Sequence, residues 1–394
     1  MKKINVGMVG YKFMGKAHSH AYLDMPFFFS TEVVPVRRAL CGRTEKAVAE
    51  AAQKFGWESY ETSWKRLIER EDIDLIDITT PNNTHKEIAI VAAKAGKDII
   101  CEKPLATNLN DAQAMLKAVE STGVKHMICF NYRKVPAISL AKKLIEEGKL
   151  GEIYHFRAVY LQDWIIDPEF PLVWRLQKNI AGSGAHGDLN SHLIDLARYL
   201  IGEFDEVIGM DKTFIKERPT LKITEELTTG LATAKAGEEK GRVEVDDATL
   251  FLAKFKRGAL GSFEATRFAT GHRNGQKIEI NGSKGSLIFE FEQMNELKFY
   301  STEDSQGVQG FRTIKTTEEI HPYMKVWWPV GHIIGYEHTF VHLIYDFMEA
   351  INQDKIPAPN FVDGVRCQEV LEAVERSIKE RRWVSIEEVK TRGS

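Results

Sequence analysis

The sequence predicts an α/β protein in which a doubly wound parallel sheet precedes an α+β domain with a large, mainly antiparallel open sheet. In the first third, short β-rich runs alternate with helical stretches, and Gly96 and Gly123 follow two of these helices, as is common at helix C-termini. This alternation favours a parallel sheet covered by helices on both faces. From Val207 onward strand candidates follow one another without helices, which favours antiparallel pairing.

The first 130 residues contain the alternating elements. Strands are predicted at Ile4–Val9, Val33–Leu40, Leu75–Ile78, Asp98–Cys101 and His126–Phe130. Helices are predicted at Ala17–Met25, Thr44–Phe55, Thr84–Ala95 and Asn110–Ser121. Because the alternation then stops, and because 394 residues suffice for two domains, we expect one domain at residues 1–130 and a second at residues 131–394.

The second part mixes helices with a series of strands. Helices are predicted at Pro136–Glu147, Asp188–Leu200, Tyr336–Asn352 and Gly364–Arg381. Strands are predicted at Glu152–Gln162, Asp247–Lys256, Gly261–Phe268, Lys277–Asn281, Ser286–Glu290 and Glu296–Tyr300. The charged stretch at residues 234–246 predicts a solvated loop or hairpin tip. An open sheet face of this size favours a homodimer or homotetramer.

Composition argues against several classes of partner. With 53 Lys and Arg against 56 Asp and Glu, the formal net charge is −3, so nothing electrostatic favours nucleic acid or an anionic membrane. The apolar runs are too short to cross a bilayer, and the first residues do not resemble a secretory signal. Cys41, Cys101, Cys129 and Cys367 are widely spaced, which predicts buried reduced thiols in a cytoplasmic protein.

A candidate phosphate-binding turn joins the first strand to the first helix. A turn there directs backbone N–H groups and the positive end of the helix dipole at a pyrophosphate. Lys12 occupies the expected middle glycine position, so an ordinary strand–helix turn remains an equal alternative. The candidate cofactor contacts in the turn are Gly10, Lys12, Phe13, Met14 and Gly15.

The end of the second strand bears on the choice between NAD and NADP. An acidic residue there grips the ribose 2′-OH of NAD, but the sequence continues Gly42-Arg43-Thr44 without a carboxylate. Arg43 and Thr44 could accommodate a 2′-phosphate; alternatively, Thr44 only caps the next helix. The cofactor is therefore expected to be NAD or NADP, with a slight preference for NADP or for dual use.

Two further motifs follow later strands, at the sheet edge where doubly wound sheets bind their ligands. They are Thr79-Thr80-Pro81-Asn82-Asn83-Thr84-His85 and Cys101-Glu102-Lys103-Pro104. Together with the turn, with Asn131-Tyr132-Arg133, Trp174-Arg175 and the spacing Asp188 to His192, they resemble the glucose–fructose oxidoreductase / inositol dehydrogenase (Gfo/Idh/MocA) family. Within it, the chain resembles the longer sugar dehydrogenases of the levoglucosan or inositol type.

The resemblance implies an amino-terminal Rossmann domain that binds the dinucleotide and a second domain that binds substrate and forms oligomers. It implies transfer of a hydride between a secondary hydroxyl of a sugar, anhydrosugar or inositol and the nicotinamide. Beyond the turn, the implied cofactor contacts are Gly42, Arg43, Thr44, Thr80, Pro81, Asn82, His85, Glu102, Lys103 and Asn131.

The chemistry needs a base for the hydroxyl proton and a positive group for the developing alkoxide. Lys103 is held beside Pro104 at a strand end, which suits the positive role. Asp188 and His192 are four residues apart and share a helix face, so the carboxylate can fix the imidazole tautomer and raise its basicity. By resemblance, all three act at the reacting carbon. Alternatively, Asp188 caps the helix and His192 packs in the core.

Other histidines and aromatic residues bear on metal and substrate binding. His186, Asp188 and His192 could be read as metal ligands, but no fourth ligand has a suitable spacing, so we expect no metal. His18 and His20 lie in the first helix, where packing or solvation is expected. Candidate substrate contacts are Lys103, Tyr132, Arg133, Trp164, Trp174, Arg175, Asp188 and His192, with the Trp327-Trp328 pair as a weaker guess.

Two other function classes stay open. Some enzymes of this family type hydrolyse glycosides with a tightly bound NAD that is reduced and reoxidised in each turnover. Other proteins of this fold are non-catalytic sensors of sugar or dinucleotide. The joint presence of Lys103, Asp188 and His192 argues against a sensor, which has no need of proton-transfer groups.

Overall fold

The structure is a computed structural model that describes residues 1–221 and 236–390. The amino-terminal sheet consists of β1 (Lys2–Val9), β2 (Val33–Cys41), β3 (Ser59–Glu61), β4 (Leu75–Ile78), β5 (Asp98–Cys101) and β6 (His126–Ile128). Its helices are α1 (Phe13–Phe28), α2 (Glu45–Phe55), α3 (Trp64–Glu69), α4 (His85–Lys94) and α5 (Leu109–Thr122).

All neighbouring strands of this sheet are parallel, in the order β3-β2-β1-β4-β5-β6. The strand order reverses between β1 and β4, which is where doubly wound sheets bind ligands. The predicted parallel sheet is therefore confirmed. The short elements β3 and α3 were not predicted, because three and six residues are too few to show a clear period.

The rest of the chain builds a second sheet and its helices. The strands are β7 (Ile153–Leu161), β8 (Phe204–Lys212), β9 (Glu217–Leu221), β10 (Ala236–Arg242), β11 (Ala248–Phe255), β12 (Leu260–Thr266), β13 (Gly275–Gly282), β14 (Gly285–Glu290), β15 (Glu296–Ser301), β16 (Arg312–Lys315) and β17 (Val384–Ser385). The helices are α6 (Pro136–Glu146), α7 (Lys178–Ala181), α8 (Ser191–Ile201), α9 (His338–Asn352), α10 (Phe361–Glu380) and α11 (Ile386–Lys390).

Nine of these strands form one sheet in the order β16-β15-β14-β13-β7-β12-β11-β8-β17. Every neighbouring pair is antiparallel except β7 and β12, which confirms the predicted, mainly antiparallel sheet. The charged stretch at 234–246 behaves differently from the expectation. Its residues 236–242 form β10, which pairs with β9, while residues 234–235 lie outside the described part of the chain.

The two faces of the large sheet differ. Helices α6, α8 and α10 pack on one face, where Phe251 and Phe263 stack with ring centroids 4.4 Å apart. The opposite face carries Leu250, Leu252 and Leu260, which remain exposed. Alternation of buried and exposed residues along β11 is the pattern of a strand with one covered face.

Helix α9 comes late in the chain but packs on the first sheet. Tyr22 and Met25 of α1 share one buried cluster with Phe340 and Phe347 of α9. The division at residues 130 and 131 stays a prediction, since α9 completes the core of the amino-terminal layer. In the described residues, no helix combines the length and apolar character required to cross a membrane.

Candidate active site

The turn between β1 and α1 can be tested for its fit to a dinucleotide. Gly10 has a φ of +111°, and a Cβ there would lie 2.6 Å from Thr79 Oγ1. A Cβ on Gly15 would collide with the Gly10 carbonyl oxygen. Only glycine lets the backbone come this close, which leaves the N–H groups at the start of α1 open to a pyrophosphate. The turn therefore fits such a ligand without a middle glycine.

The other turn residues keep their predicted places. Lys12 and Phe13 are exposed and Met14 is half-buried at the start of α1. Lys12 is the residue preceding the first helical residue, and its side chain makes no capping hydrogen bond. A long cationic side chain in this position can lean toward a bound phosphate or away into solvent.

Gly42, at the end of β2, has a packing role that the sequence did not reveal. A Cβ at this position would collide with the aromatic ring of Tyr11, so Tyr11 covers the place where an acidic side chain would otherwise stand. Arg43 and Thr44 are exposed. The Thr44 side chain makes no capping hydrogen bond to α2, so the capping alternative for Thr44 was wrong.

The segment after β4 lies beside the turn and also contacts α7. Thr84 Oγ1 donates to the Pro81 carbonyl at 2.8 Å and lies 2.6 Å from Thr80 Oγ1, whose hydroxyl can donate to it. Asn82 Nδ2 donates to the Ala181 carbonyl at 2.9 Å. Thr80, Pro81 and Asn82 are half-buried at this edge and remain candidate cofactor contacts.

His85 and Asn131 differ from the expected contacts. His85 is fully buried, and its ring nitrogens lie 2.9 Å from the Thr80 carbonyl and 3.1 Å from the Pro104 carbonyl. His85 thus links the segment after β4 to the segment after β5 inside the protein and does not face a ligand. It is therefore not a cofactor contact. Asn131 is also buried, and its Nδ2 donates to Thr339 Oγ1 at 2.8 Å.

Lys103, Asp188 and Arg267 form the charged centre of the site. Lys103 Nζ donates to Asp188 Oδ1 at 2.7 Å and to the Asp188 carbonyl at 3.0 Å. The other carboxylate oxygen, Oδ2, accepts from the Arg267 guanidinium at 2.8 Å. Burial alone would raise the pKa of Asp188, but the charges of Lys103 and Arg267 outweigh it and hold that pKa well below its usual range. Asp188 is therefore ionised.

This arrangement corrects two expectations about Asp188. The residue lies in a π-helical turn, His186–Asn190, that runs into α8, and its side chain caps no helix. Its carboxylate accepts hydrogen bonds from Lys103 and Arg267 and does not orient the imidazole of His192. Such π-helical turns are often found at functional sites.

His192 differs from the expected basic imidazole. The side chain is buried and stacks on Tyr132, with ring centroids 4.2 Å apart. Burial lowers the pKa of His192 well below its ordinary value, and the charge of Lys103 lowers it further, with only partial opposition from Asp188. Among the described residues its Nδ1 has no hydrogen-bond partner. His192 is thus neutral near pH 7.

A chain of hydrogen bonds extends along the large sheet from Tyr132, the residue that stacks on His192. The hydroxyls of Tyr132 and Tyr160 are 2.7 Å apart, and the Tyr160 hydroxyl donates to Asn274 Oδ1 at 2.9 Å. Gln162 Nε2 donates to the same Asn274 oxygen at 2.8 Å, and Gln162 Oε1 accepts from Trp164 Nε1 at 2.9 Å. The Arg267 guanidinium lies 5.3 Å from the centre of the Trp164 ring. The chain of hydrogen bonds therefore ends beside Arg267, which belongs to the charged centre.

Trp174 and Arg175 belong to the same region. The Arg175 guanidinium lies 4.4 Å from the centre of the Trp174 ring, and both residues are half-buried. Burial lowers the pKa of Arg175, while the charge of Asp188 opposes this effect. Both residues therefore remain candidate substrate contacts.

Two functional candidates were missed by the sequence analysis. Arg267 is one. Tyr336 is the other: burial raises its pKa well above the usual value, and nearby Tyr132, Glu102 and Asp188 raise it further. Tyr336 is thus within electrostatic reach of the charged centre. Neither residue belongs to a motif, so only the fold brings them to the site.

Other predicted residues have structural roles. Arg133 is buried in an ion-pair network, 2.8 Å from Asp195 Oδ2 and 3.0 Å from Asp363 Oδ1, so we remove it from the substrate contacts. Trp327 is buried against Phe28 at 4.3 Å between ring centroids and was a wrong guess.

His186 and His18 are also engaged. Asn190 Nδ2 donates to His186 Nδ1, so His186 Nε2 donates to the Leu371 carbonyl at 3.0 Å, and both ring nitrogens of His186 have partners within the protein. His18 lies between Asp77 and Glu102, which makes Glu102 part of a buried cluster.

Comparison with known proteins identifies the family of this chain. The profile described as "Oxidoreductase family, NAD-binding Rossmann fold" matches residues 4–130, and that of the GFO/IDH/MocA C-terminal domain matches residues 138–288. The chain belongs to the Gfo/Idh/MocA family. The predicted class, an oxidoreductase with an NAD-binding Rossmann domain, is thereby confirmed.

Members of the Gfo/Idh/MocA family resemble this chain along its whole length. A levoglucosan dehydrogenase from Pseudarthrobacter phenanthrenivorans is 44% identical over 392 residues, 99% of this chain and 100% of the relative. An oxidoreductase domain protein from Kribbella flavida has a solved structure at 50% identity and a TM-score of 0.92, covering 98% and 100% of the two chains. A levoglucosan dehydrogenase solved with NADH and levoglucosan shares 44% identity at a TM-score of 0.92, covering 98% and 99%.

Proposed function

We propose that this protein is an NAD-dependent dehydrogenase that oxidises a secondary hydroxyl of an anhydrosugar, and that levoglucosan or a close analogue is its substrate. The observation that carries the proposal is the Lys103 ammonium held by an ionised Asp188, next to a neutral His192, at the end of β5. The 44% identity to a levoglucosan dehydrogenase supports the choice of substrate.

Each group has a role in alcohol oxidation. The dinucleotide, when bound, accepts the hydride from the reacting carbon. Lys103 Nζ donates a hydrogen bond to the substrate oxygen and stabilises the negative charge that develops there. His192, neutral near pH 7, accepts the hydroxyl proton. Asp188 keeps the Lys103 side chain in place, since its carboxylate accepts from Nζ at 2.7 Å.

The aromatic residues suit a sugar ring. Trp164 and Trp174 present faces that can cover C–H patches, while Arg175 and Tyr132 supply groups for hydroxyls. The half-burial of Trp164, Trp174 and Arg175 supports this assignment, because a ligand can still reach them.

We further propose NAD as the working cofactor. A similar enzyme has been solved with NADH, which supports this choice. Tyr11 packs over Gly42, the position at which an acidic side chain would select against NADP. Because no carboxylate follows β2, we expect modest discrimination between the two cofactors. Catalytic efficiency measured with each one tests this point, and a preference for NAD of several orders of magnitude would contradict it.

A substrate panel tests the function. Levoglucosan, D-glucose, L-sorbose and myo-inositol are each incubated with NAD or NADP, and the absorbance of the reduced nicotinamide is followed. The expected result is steady accumulation of reduced cofactor with levoglucosan. Failure of every sugar to reduce the cofactor contradicts the proposal; cleavage of a glycoside without net reduction identifies the hydrolase alternative.

Assembly and location are proposed on separate grounds. Leu250, Leu252 and Leu260 expose apolar side chains on the outer face of the large sheet, which supports a homodimer or homotetramer built on that face. Light scattering of the purified protein tests this, and a monomer contradicts it. All four cysteines are buried and unpaired, which supports a reducing, cytoplasmic environment.

A further inference from the structure

A buried cluster of ionisable side chains lies beneath the candidate active site and has no part in the proposed chemistry. His18 Nδ1 is 2.8 Å from Asp77 Oδ2, and His18 Nε2 is 3.0 Å from Glu102 Oε1. Tyr22 donates its hydroxyl proton to the same Asp77 oxygen at 2.9 Å. His18 and Asp77 are fully buried, and Glu102 is nearly so. Buried charges of this kind are retained only where they are paired.

The geometry sets the protonation state of His18. Each ring nitrogen faces a carboxylate oxygen, which can only accept, so both nitrogens must carry a proton. Burial alone would lower the pKa of His18, but the charge of Asp77 reverses this and raises the pKa well above its ordinary value. Cys129, the next ionisable neighbour, keeps its proton because burial raises its pKa to about 12. The cluster is thus one imidazolium between two carboxylates.

One end of the cluster is tied to Lys103. The second Glu102 oxygen, Oε2, accepts the backbone N–H of Lys103 at 3.0 Å. Lys103 Nζ, at the far end of the same residue, is held by Asp188. Lys103 is therefore fixed at both its backbone and its ammonium, and the backbone contact depends on Glu102.

The other end is tied to the candidate phosphate turn. His18 lies on α1, whose first residues form that turn. The adjacent Ser19 donates to the Gly15 carbonyl at 2.7 Å and accepts from Trp57 Nε1 at 2.9 Å. The helix that meets the dinucleotide phosphates therefore also carries the imidazolium that contacts Glu102.

From these contacts we propose that His18 is a positioning residue: it ties α1 to Glu102 and so fixes the Lys103 backbone relative to the dinucleotide-binding turn. The inference rests on the proposed dehydrogenase function. It gives Glu102 a role in the protein interior, since both of its carboxylate oxygens are used there.

The test is the variant His18→Gln, with His20→Gln as a matched control. His20 lies on the same helix but is exposed, and its Nε2 lies 3.3 Å from Asp24 Oδ2. We expect kcat to fall roughly 10- to 100-fold in His18→Gln, because small displacements of a reacting group are costly. KM for the sugar and the dissociation constant of NADH should change less than about threefold. His20→Gln should match the wild type. An unchanged kcat in His18→Gln overturns the proposal.

A second readout does not depend on turnover. Hydrogen–deuterium exchange at the Lys103 amide reports its hydrogen bond to Glu102. Exchange should be faster in His18→Gln than in the wild type and unchanged in His20→Gln; equal exchange in all three contradicts the positioning role. If the wild type oxidises no sugar, the proposed function fails, while the exchange result still decides the role of His18.

A charge-matched variant covers the case in which His18→Gln does not fold. His18→Gln combined with Asp77→Asn removes one positive and one negative charge, so the net charge of the cluster is kept. The same loss of kcat and the same faster exchange at Lys103 are expected. Wild-type values of both in the folded double variant contradict the proposal.

Discussion

Lys103 Nζ lies 2.7 Å from Asp188 Oδ1, although the two residues lie beside different sheets of the protein. Lys103 follows β5 of the parallel sheet, and Asp188 precedes α8, which covers the antiparallel sheet. The charged centre therefore exists only where the two sheets meet. Its residues can be tested one at a time.

Lys103→Ala should reduce kcat by roughly 10²- to 10³-fold, the usual cost of losing one charge-stabilising contact at a reacting oxygen. NADH affinity should stay close to the wild-type value, since the turn and α1 are untouched. Steady-state kinetics and NADH fluorescence check both. Lys86→Ala is the control, because Lys86 pairs with Asp111 at the surface. Near-normal turnover in Lys103→Ala would remove this residue from the mechanism.

Asp188→Asn should reduce kcat to a similar extent and also lower the melting temperature. The amide leaves Lys103 and Arg267 without their shared counter-charge, and uncompensated buried cations destabilise a fold. A pH–rate profile and a thermal melt measure the two effects. A variant with wild-type rate and stability would show that the carboxylate charge is unimportant.

Arg267→Gln should weaken catalysis and raise the pKa of Asp188 toward its usual value, because one of its two closest positive charges is lost. The acidic limb of the kcat/KM profile should then move to higher pH. Arg273→Gln is the control: Arg273 is exposed and pairs with Asp163 at 3.1 Å. Identical profiles for wild type and Arg267→Gln would contradict an electrostatic role for Arg267.

Gly42→Ala should raise KM for NAD several-fold, because the added methyl group collides with Tyr11. In a Tyr11→Ala background the same substitution should have a smaller effect, since the colliding ring is gone. The KM values for NAD of the four proteins in this double-mutant cycle give the interaction energy between positions 11 and 42 directly. Additive changes in KM would show that the two positions do not interact.

Stability should depend on pH through His342. Its Nε2 accepts from Trp327 Nε1 and its Nδ1 contacts the Lys134 carbonyl, both at 2.8 Å. Burial lowers the pKa of His342 to about 3, against about 6.5 in the unfolded chain. Between these two pKa values the unfolded state binds more protons than the folded state. The contribution of His342 to the free energy of unfolding is therefore lost as the pH falls below about 6.5.

The expected loss between pH 7 and pH 5 is about 2 kcal/mol from this group. Urea denaturation at the two pH values, on the wild type and on His342→Gln, measures it, and His332→Gln is the control because His332 is exposed. The pH effect should shrink in His342→Gln only. An equal pH effect in all three proteins would exclude His342 as the cause.

The sequence predicted those parts of the site that depend on local pattern. The glycine turn, the residues after β4 and Lys103 after β5 are near one another because parallel strands end at the same edge. Arg267 could not be found in this way, because its partner Asp188 is 79 positions away and only the pairing of β12 with its neighbours brings them together. For the same reason the preference of Asp188 for Lys103 over His192 was not predicted.

His18 shows a weaker but usable signal. His18, Tyr22 and Met25 recur at the spacing of one helix face, and all three are buried. A histidine that shares a helix face with apolar residues is expected to be buried. Its two carboxylate partners, however, are 59 and 84 positions away in the sequence. Helical period can therefore predict that His18 is inside the protein and cannot predict its charge.

The packing of α9 on α1 has a consequence for biosynthesis. Ribosomes deliver the amino-terminal strands first, yet Tyr22 and Met25 gain their partners Phe340 and Phe347 only when His338–Asn352 has been made. Until then an apolar surface of the nascent amino-terminal part stays exposed, and chaperones that bind unfolded chains are expected to bind it. A fragment of residues 1–130 should consequently aggregate when expressed alone and become more soluble when a peptide of residues 336–353 is supplied in trans.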